Sequence, residues 1–321
     1  MSDFTGLIPP IVTPLTSDGD VDVDGLRNVI DFQLAAGANG IFVLGSSGEA
    51  IYLDDTERRQ VALAARAAID GRAPLLIGAL APTARRVAQQ IALLGDARPD
   101  AVVVTAPFYS APSQNEVAAH FRYAAAVATA PVLAYDIPGN VGTKIPTEVI
   151  TTLLADGSVA GLKDSSGDVD TFARIAQDLG ADRRGVLLSG ADTAALKALD
   201  AGADGLIPGL ANIRPDIFVS LLDAHRARDS ERADQLQVAL ITLNQVFKVG
   251  VGFGLGRHAS EIGALKHVLN RLGVLPNPAS PLPLETFPAA AGEVVDQILE
   301  TVDRQLAGDV TLVRSPGDTN A

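Results

Sequence analysis

Lys163 has the setting that points most directly to chemistry. The 321-residue chain has only five lysines (Lys144, Lys163, Lys197, Lys248 and Lys266) beside twenty arginines. Lys163 ends the run Val159-Ala160-Gly161-Leu162, which reads as a buried strand. Lysine is rarely buried without a partner. Desolvation favours the neutral amine, and a neutral amine attacks a carbonyl to form a Schiff base. An ion pair with Asp164 or another barrel carboxylate is the structural alternative, and Lys163 alone does not separate the two.

Its neighbours carry compatible groups. Tyr135 lies in the preceding run, Val132–Ile137, and its phenol can shuttle protons. Equally, an interior tyrosine can simply bind a backbone carbonyl. Tyr109, before Ser110 in a loop, can relay protons, gate a site or anchor an interface. Gly45-Ser46-Ser47-Gly48-Glu49 offers two hydroxyls and exposed amides suited to a carboxylate or phosphate. It is no nucleophile elbow: Ser46 has Leu44 two before it, and Ser47 has Glu49 two after it.

Other chemistries are disfavoured. The chain has no cysteine, which removes disulfides, thiol catalysis and cysteine-ligated metals. His120, His225, His258 and His267 show no metal-ligand spacing and read as structural or solvent-facing. Gly250–Gly256 is glycine-dense but fits no dinucleotide fingerprint, so a loop is expected, free to pass near a site. Asp18, Asp20, Asp22 and Asp24 lack the later Gly and Glu of a calcium loop. A net charge of −13 disfavours nucleic acid and anionic membranes as partners. No apolar run reaches the ~18 residues of a membrane span, and Met1-Ser2-Asp3-Phe4 does not open a signal peptide, so a cytoplasmic location is expected.

Something must bring these residues to one place. Eight β-rich runs alternate with Ala-rich stretches of helical spacing: Leu7–Leu15, Gly40–Leu44, Pro74–Leu80, Ala101–Ala106, Val132–Ile137, Val159–Lys163, Gly185–Ser189 and Gly205–Ile207. The repeat is roughly 25–35 residues, a βα unit. This predicts an α/β fold, a (β/α)8 TIM barrel over residues 1–228, with an open doubly wound sheet as the alternative. Residues 229–308 read as a C-terminal extension of three helices, Glu231–Val249, Ala259–Arg271 and Ala290–Leu306, packed on the barrel. Residues 309–321 read as a flexible polar tail. In a barrel, strand C-termini share one rim, and that is where Ser46, Tyr135, Lys163 and Gly190 fall.

Taken in order, Gly45-Ser46-Ser47-Gly48-Glu49, Pro107-Phe108-Tyr109, Tyr135-Asp136-Ile137-Pro138, Gly161-Leu162-Lys163-Asp164 and Ser189-Gly190-Ala191-Asp192 resemble the dihydrodipicolinate synthase / N-acetylneuraminate lyase family. The resemblance spans roughly Phe4 to Leu306. It implies a class I aldolase or lyase acting on a small-molecule 2-oxo acid and an aldehyde, with no metal and no organic cofactor. Lys163 matches the Schiff-base lysine and Tyr135 the general acid/base. Ser47 matches the relaying hydroxyl, and Ser46 and Ser47 the turn that binds the oxo-acid carboxylate. Tyr109 matches a tyrosine reaching a neighbouring subunit's site, in a homotetramer built as a dimer of dimers. Asn140, Gly190 and Ile207 complete the expected substrate-binding set. One position departs from the pattern: dihydrodipicolinate synthases carry an arginine two past the proline, where Asn140 stands here. An amide suits hydroxyl groups better than a carboxylate, which favours a 2-keto-3-deoxy sugar acid as substrate. The synthase reaction with aspartate semialdehyde, or a 2-keto-3-deoxy acid dehydratase, is the alternative.

Overall fold

The computed structural model describes residues 4–180 and 183–308. The tail expected over 309–321 and the first three residues lie outside them. The first half of the chain runs β1 (Gly6–Leu7), α1 (Val23–Ala35), β2 (Ile41–Val43), α2 (Asp55–Ile69), β3 (Leu75–Gly78), α3 (Ala84–Leu94), β4 (Ala101–Thr105) and α4 (Gln114–Val127). Then come β5 (Val132–Asp136), α5 (Pro138–Val141), α6 (Thr147–Ala155), β6 (Gly161–Asp164), α7 (Val169–Leu179), β7 (Val186–Ser189), α8 (Ala195–Asp200), β8 (Gly205–Leu206) and α9 (Pro215–Ala227). The helices α10 (Ser230–Leu243), α11 (Val246–Val249), α12 (Arg257–Arg271) and α13 (Ala289–Leu306) follow.

All eight strands are parallel, in the spatial order β1-β8-β7-β6-β5-β4-β3-β2. The ring closes just past β1, where Pro10 bridges Phe42 in parallel. Ile11 N–H donates to the Phe42 carbonyl and Phe42 N–H to that of Pro9. This is the expected (β/α)8 barrel, not an open sheet. The strands close because both faces are apolar and covered: every residue of Ala101–Thr105 is buried.

The first strand is far shorter than the run Leu7–Leu15. Pro9, Pro10 and Pro14 have no amide hydrogen to give a ladder, so pairing there shrinks to single bridges. Helix starts follow capping chemistry. Asp54 with Glu57 opens α2, and Ser113 with Glu116 opens α4, each as a reciprocal capping box.

The expected helix Glu231–Val249 breaks at Asn244–Gln245 into α10 and α11, and the glycine-dense segment begins with a 3-10 turn, Gly250–Phe253. By composition alone an 18-residue stretch within Ser230–Phe253, with a mean hydropathy of 1.3, is apolar enough to cross a bilayer. Here it is three short pieces, with α10 packed on α9 and α13. Helix α12 packs on α11, α13 and the 3-10 turn Gly209–Asn212 after β8, which brings α12 to the barrel mouth.

Candidate active site

Strands β5 and β6 pair so that Tyr135 stands opposite Lys163 and Asp136 opposite Asp164. Strand alternation turns the first pair inward and the second toward the helices. Lys163 Nζ lies 3.5 Å from the Tyr135 ring centroid and 5.3 Å from that of Phe42. Lys163 is only 2% exposed. Burial pushes its amine below the ordinary lysine range, and the charges of Tyr135, Asp192 and Asp164 oppose that more weakly. The net direction is the one a nucleophilic amine needs.

The turn after β2 is conformationally unusual. Leu44 and Glu49, at its two ends, both have a φ of 57°. Residues other than glycine rarely adopt that region, and such outliers concentrate at functional sites. The turn also presses on its neighbour: a Cβ at Gly78 would sit 2.0 Å from the Leu44 carbonyl oxygen. Ser46 and Ser47 line the cavity, and neither backbone N–H donates to a described residue. Two unpaired amides in a cavity that also holds an amine are chemically suited to a carboxylate. Ser46 Oγ lies 3.5 Å from the Tyr135 hydroxyl. Ser46, rather than the expected Ser47, is thus the hydroxyl that faces the phenol.

Glu49 is anchored by Lys266 of α12, 2.7 Å away, with both side chains wholly buried. Lys266 also donates to the Ala279 carbonyl at 2.7 Å. Burial pushes the Glu49 carboxyl up and the Lys266 amine down, each opposed by the other's charge.

Asp192, past the end of β7, borders the cavity and accepts from Leu210 N–H at 2.8 Å. Burial pushes its carboxyl up to about 7, opposed by that hydrogen bond and by the charge of Lys163. Gly190 and Ile207 line the cavity too. A Cβ at Gly190 would meet Ser165 Oγ at 2.2 Å, so the close approach of the two strand ends requires glycine.

Behind the inward pair, Lys144 bridges the outward one. Its Nζ pairs with Asp136 and lies 3.8 Å from Asp164. Burial pushes the Asp136 carboxyl up, and Lys144 opposes it.

The cavity measures about 440 Å³, within the ~300–1,000 Å³ typical of small-molecule sites. Two features of its outer wall differ from expectation. Asn140, on the unforeseen helix α5, accepts through Oδ1 from Arg257 Nη2 at 2.9 Å, and the same nitrogen donates to the Gly139 carbonyl at 3.1 Å. A guanidinium therefore stands beside a position read as neutral. His258 lines the cavity as well, stacked on Tyr52 at 5.7 Å, so it is not the peripheral histidine expected. The other three fit a structural reading: His120 is buried against the Thr105 carbonyl, and His225 and His267 meet Asp200 and Asp296. The glycine-dense segment does reach the mouth, through Val251.

Tyr109 is not brought to this site. It is fully exposed, does not line the cavity and has a φ of 68°. Its neighbour Phe108 lines an adjoining pocket with Tyr52 and Asn140. Among the described residues, no three His, Cys, Asp or Glu side chains cluster as a metal site.

A buried lysine facing a tyrosine at the C-terminal rim of a (β/α)8 barrel defines a class I, Schiff-base aldolase or lyase. The chain belongs to the Dihydrodipicolinate synthetase family, whose model matches residues 3–299. It is 31% identical over 272 residues to an uncharacterized DapA-like lyase of Halobacterium salinarum, covering 83% of this chain and 88% of that protein. It is 38% identical over 226 residues to the 4-hydroxy-tetrahydrodipicolinate synthase of Salinibacter ruber, covering 69% and 73%. The crystal structure of YagE, a prophage protein of the dihydrodipicolinic acid synthase family from E. coli K12 in complex with pyruvate, superposes with a TM-score of 0.87. It has 27% identity and covers 94% of this chain and 99% of that one.

Proposed function

We propose that this enzyme makes or breaks a carbon–carbon bond between pyruvate and an aldehyde, working through Lys163, with a 2-keto-3-deoxy sugar acid as the joined species. The observation that carries the reading is the Lys163–Tyr135 pair, a cavity-lining amine only 2% exposed and 3.5 Å from the centroid of a phenol ring. The Lys163 amine attacks the 2-oxo carbon, and water leaves to give the imine. The imine is an electron sink, so a proton is lost from C3 and an enamine forms. The enamine carbon attacks the aldehyde carbonyl, and the new alkoxide takes a proton. Water then releases Lys163. Tyr135 moves these protons, with Ser46 beside its hydroxyl. The amides of Ser46 and Ser47 hold the carboxylate.

The sugar-acid reading rests on the cavity's lining, where Ser165, Ser166, Asn244, Asp192 and Glu261 offer donors and acceptors to hydroxyl groups. Asn140 contributes its Nδ2, since its Oδ1 is taken by Arg257. A second reading, condensation with aspartate semialdehyde, is favoured by the Salinibacter ruber relative and by that same guanidinium. Tyr109, exposed on a strained backbone, suits insertion into the site of a second copy, as in a tetramer built from tight dimers.

The test is incubation with pyruvate and borohydride, followed by peptide mass measurement. An adduct on Lys163, absent in Lys163→Ala, is expected. An intact, unlabelled protein with pyruvate and with 2-keto-3-deoxy acids would remove the imine mechanism. Steady-state rates with aspartate semialdehyde and with glyceraldehyde then separate the two substrate readings.

A further inference from the structure

Glu49 ends the turn that carries Ser46 and Ser47, and its setting is unfavourable in two respects. Its φ of 57° suits glycine, and its charged side chain is wholly buried. Its N–H closes the turn by donating to the Ser46 carbonyl at 3.0 Å, so the placement of Glu49 bears on the amides just before it. Thr13 Oγ1 ties down the backbone by donating to the Gly48 carbonyl at 2.6 Å. The Glu49 side chain is tied by Lys266, its only ion-pair partner among the described residues. Lys266 is itself fixed on the Ala279 carbonyl. Helix α12 meets the same stretch a second time, where His258 stacks on Tyr52. Between these two contacts Ile262 and Leu265 line the cavity. The turn is thus gripped from α12 at two points, about two helical turns apart. A buried ion pair adds little net stability over apolar side chains of similar size, and its best use is to fix register.

We propose, resting on the class I reading above, that Glu49 is a positioning residue for the 2-oxo acid: held by Lys266, it aims the Ser46 and Ser47 amides at the substrate carboxylate. Glu49 does not itself line the cavity, so it acts through the turn. Its loss weakens recognition of the carboxylate and leaves the reactivity of the Lys163 amine toward a plain ketone as it was.

Pyruvate and acetone separate these effects, because both offer a methyl ketone and only pyruvate carries a carboxylate. Borohydride trapping on Lys163 is followed at subsaturating concentrations of each, in wild type, Glu49→Gln, Lys266→Met and the double variant. We expect the second-order trapping rate for pyruvate to fall about tenfold in each single variant, the order of one weakened charge-assisted hydrogen bond, and that for acetone to stay within about twofold. The double variant regains stability without regaining the preference for pyruvate, since no tether remains. In steady state the loss appears in KM for pyruvate, with kcat and KM for the aldehyde kept. Glu49→Gln preserves side-chain volume and decides the matter by itself if Lys266→Met does not fold. Equal losses for the two ketones overturn the proposal, as does a preference that returns together with stability in the double variant. An adduct on Lys163 in the wild type, with the same pyruvate-to-acetone ratio in every variant, leaves the class I reading standing and removes the positioning role. No adduct from pyruvate in the wild type removes both.

Discussion

Lys266 and Glu49 form an ion pair of 2.7 Å that reaches solvent at neither end. It joins the turn after β2 to α12, two parts of the mouth more than two hundred residues apart in sequence. Removing one partner of such a pair strands a buried charge at a cost of about 3–5 kcal/mol. Lys266→Met is therefore expected to lower unfolding free energy by that amount in denaturant titration. Glu49→Gln added to it should restore more than half. A single-variant loss below about 1 kcal/mol would mean that the turn relaxes and solvates Glu49.

The two serines of that turn are placed differently. Ser46 Oγ faces the Tyr135 hydroxyl, and Ser47 offers the cavity its backbone amide. Ser46→Ala should lower kcat about 10–100-fold, the range of a lost proton-transfer partner, with little change in KM for pyruvate. Ser47→Ala keeps its amide and should cost less than threefold in kcat. Equal losses in the two variants would sink the assignment of the relay to Ser46.

What could be read from the sequence follows from how the barrel is built. Lys163, Tyr135 and the serine turn each end a short apolar run, and eight parallel strands bring such ends to one rim, so local runs sufficed to predict the barrel. Which of the two serines faces the phenol is set by a turn that opens with Leu44 in a left-handed conformation, one that no propensity favours for leucine and that local sequence does not reveal. Arg257 and His258 were invisible for another reason. Their partners lie across the mouth, Asn140 being 117 positions away, and nothing local sets where a C-terminal helix is laid. An arginine and a histidine directly after a glycine-dense segment were the only signal, and the absence of a strand there hid it. The same gap made Asn140 read as a neutral position.

Asp192 should impose a pH dependence on stability. Its carboxyl is pushed up to about 7 by burial, from an ordinary value of 3.8. The native state therefore holds this proton more tightly than the unfolded chain. The stability it lends is complete below about pH 4 and is lost as pH rises through 7. Asp192→Asn retains an acceptor for Leu210 N–H and cannot ionise. Relative to it, wild type should lose about 1–2 kcal/mol between pH 4 and 8, less than the ~1.36 kcal/mol per pH unit would give without water from the cavity. Parallel Tm profiles of the two proteins across that window would disprove the shift.

Lys144 bridges the outward pair behind Tyr135 and Lys163. It touches Asp136 and lies 3.8 Å from Asp164, and each carboxylate directly follows one of the inward residues, Tyr135 or Lys163. Ile145 N–H also donates to Asp136 at 3.1 Å, so this contact fixes the segment that carries Asn140. Lys144→Met leaves two buried carboxylates facing each other and raises the pH at which Asp136 takes a proton. A raised native value stabilises the fold as pH falls, so the loss should be about 2–4 kcal/mol at pH 8 and much smaller at pH 5. Because Asn140 in turn holds Arg257, KM for the aldehyde should rise more than kcat falls. A stability loss equal at both pH values would mean that Lys144 acts through the packing of its methylenes, and an unchanged KM would separate it from the outer wall of the site.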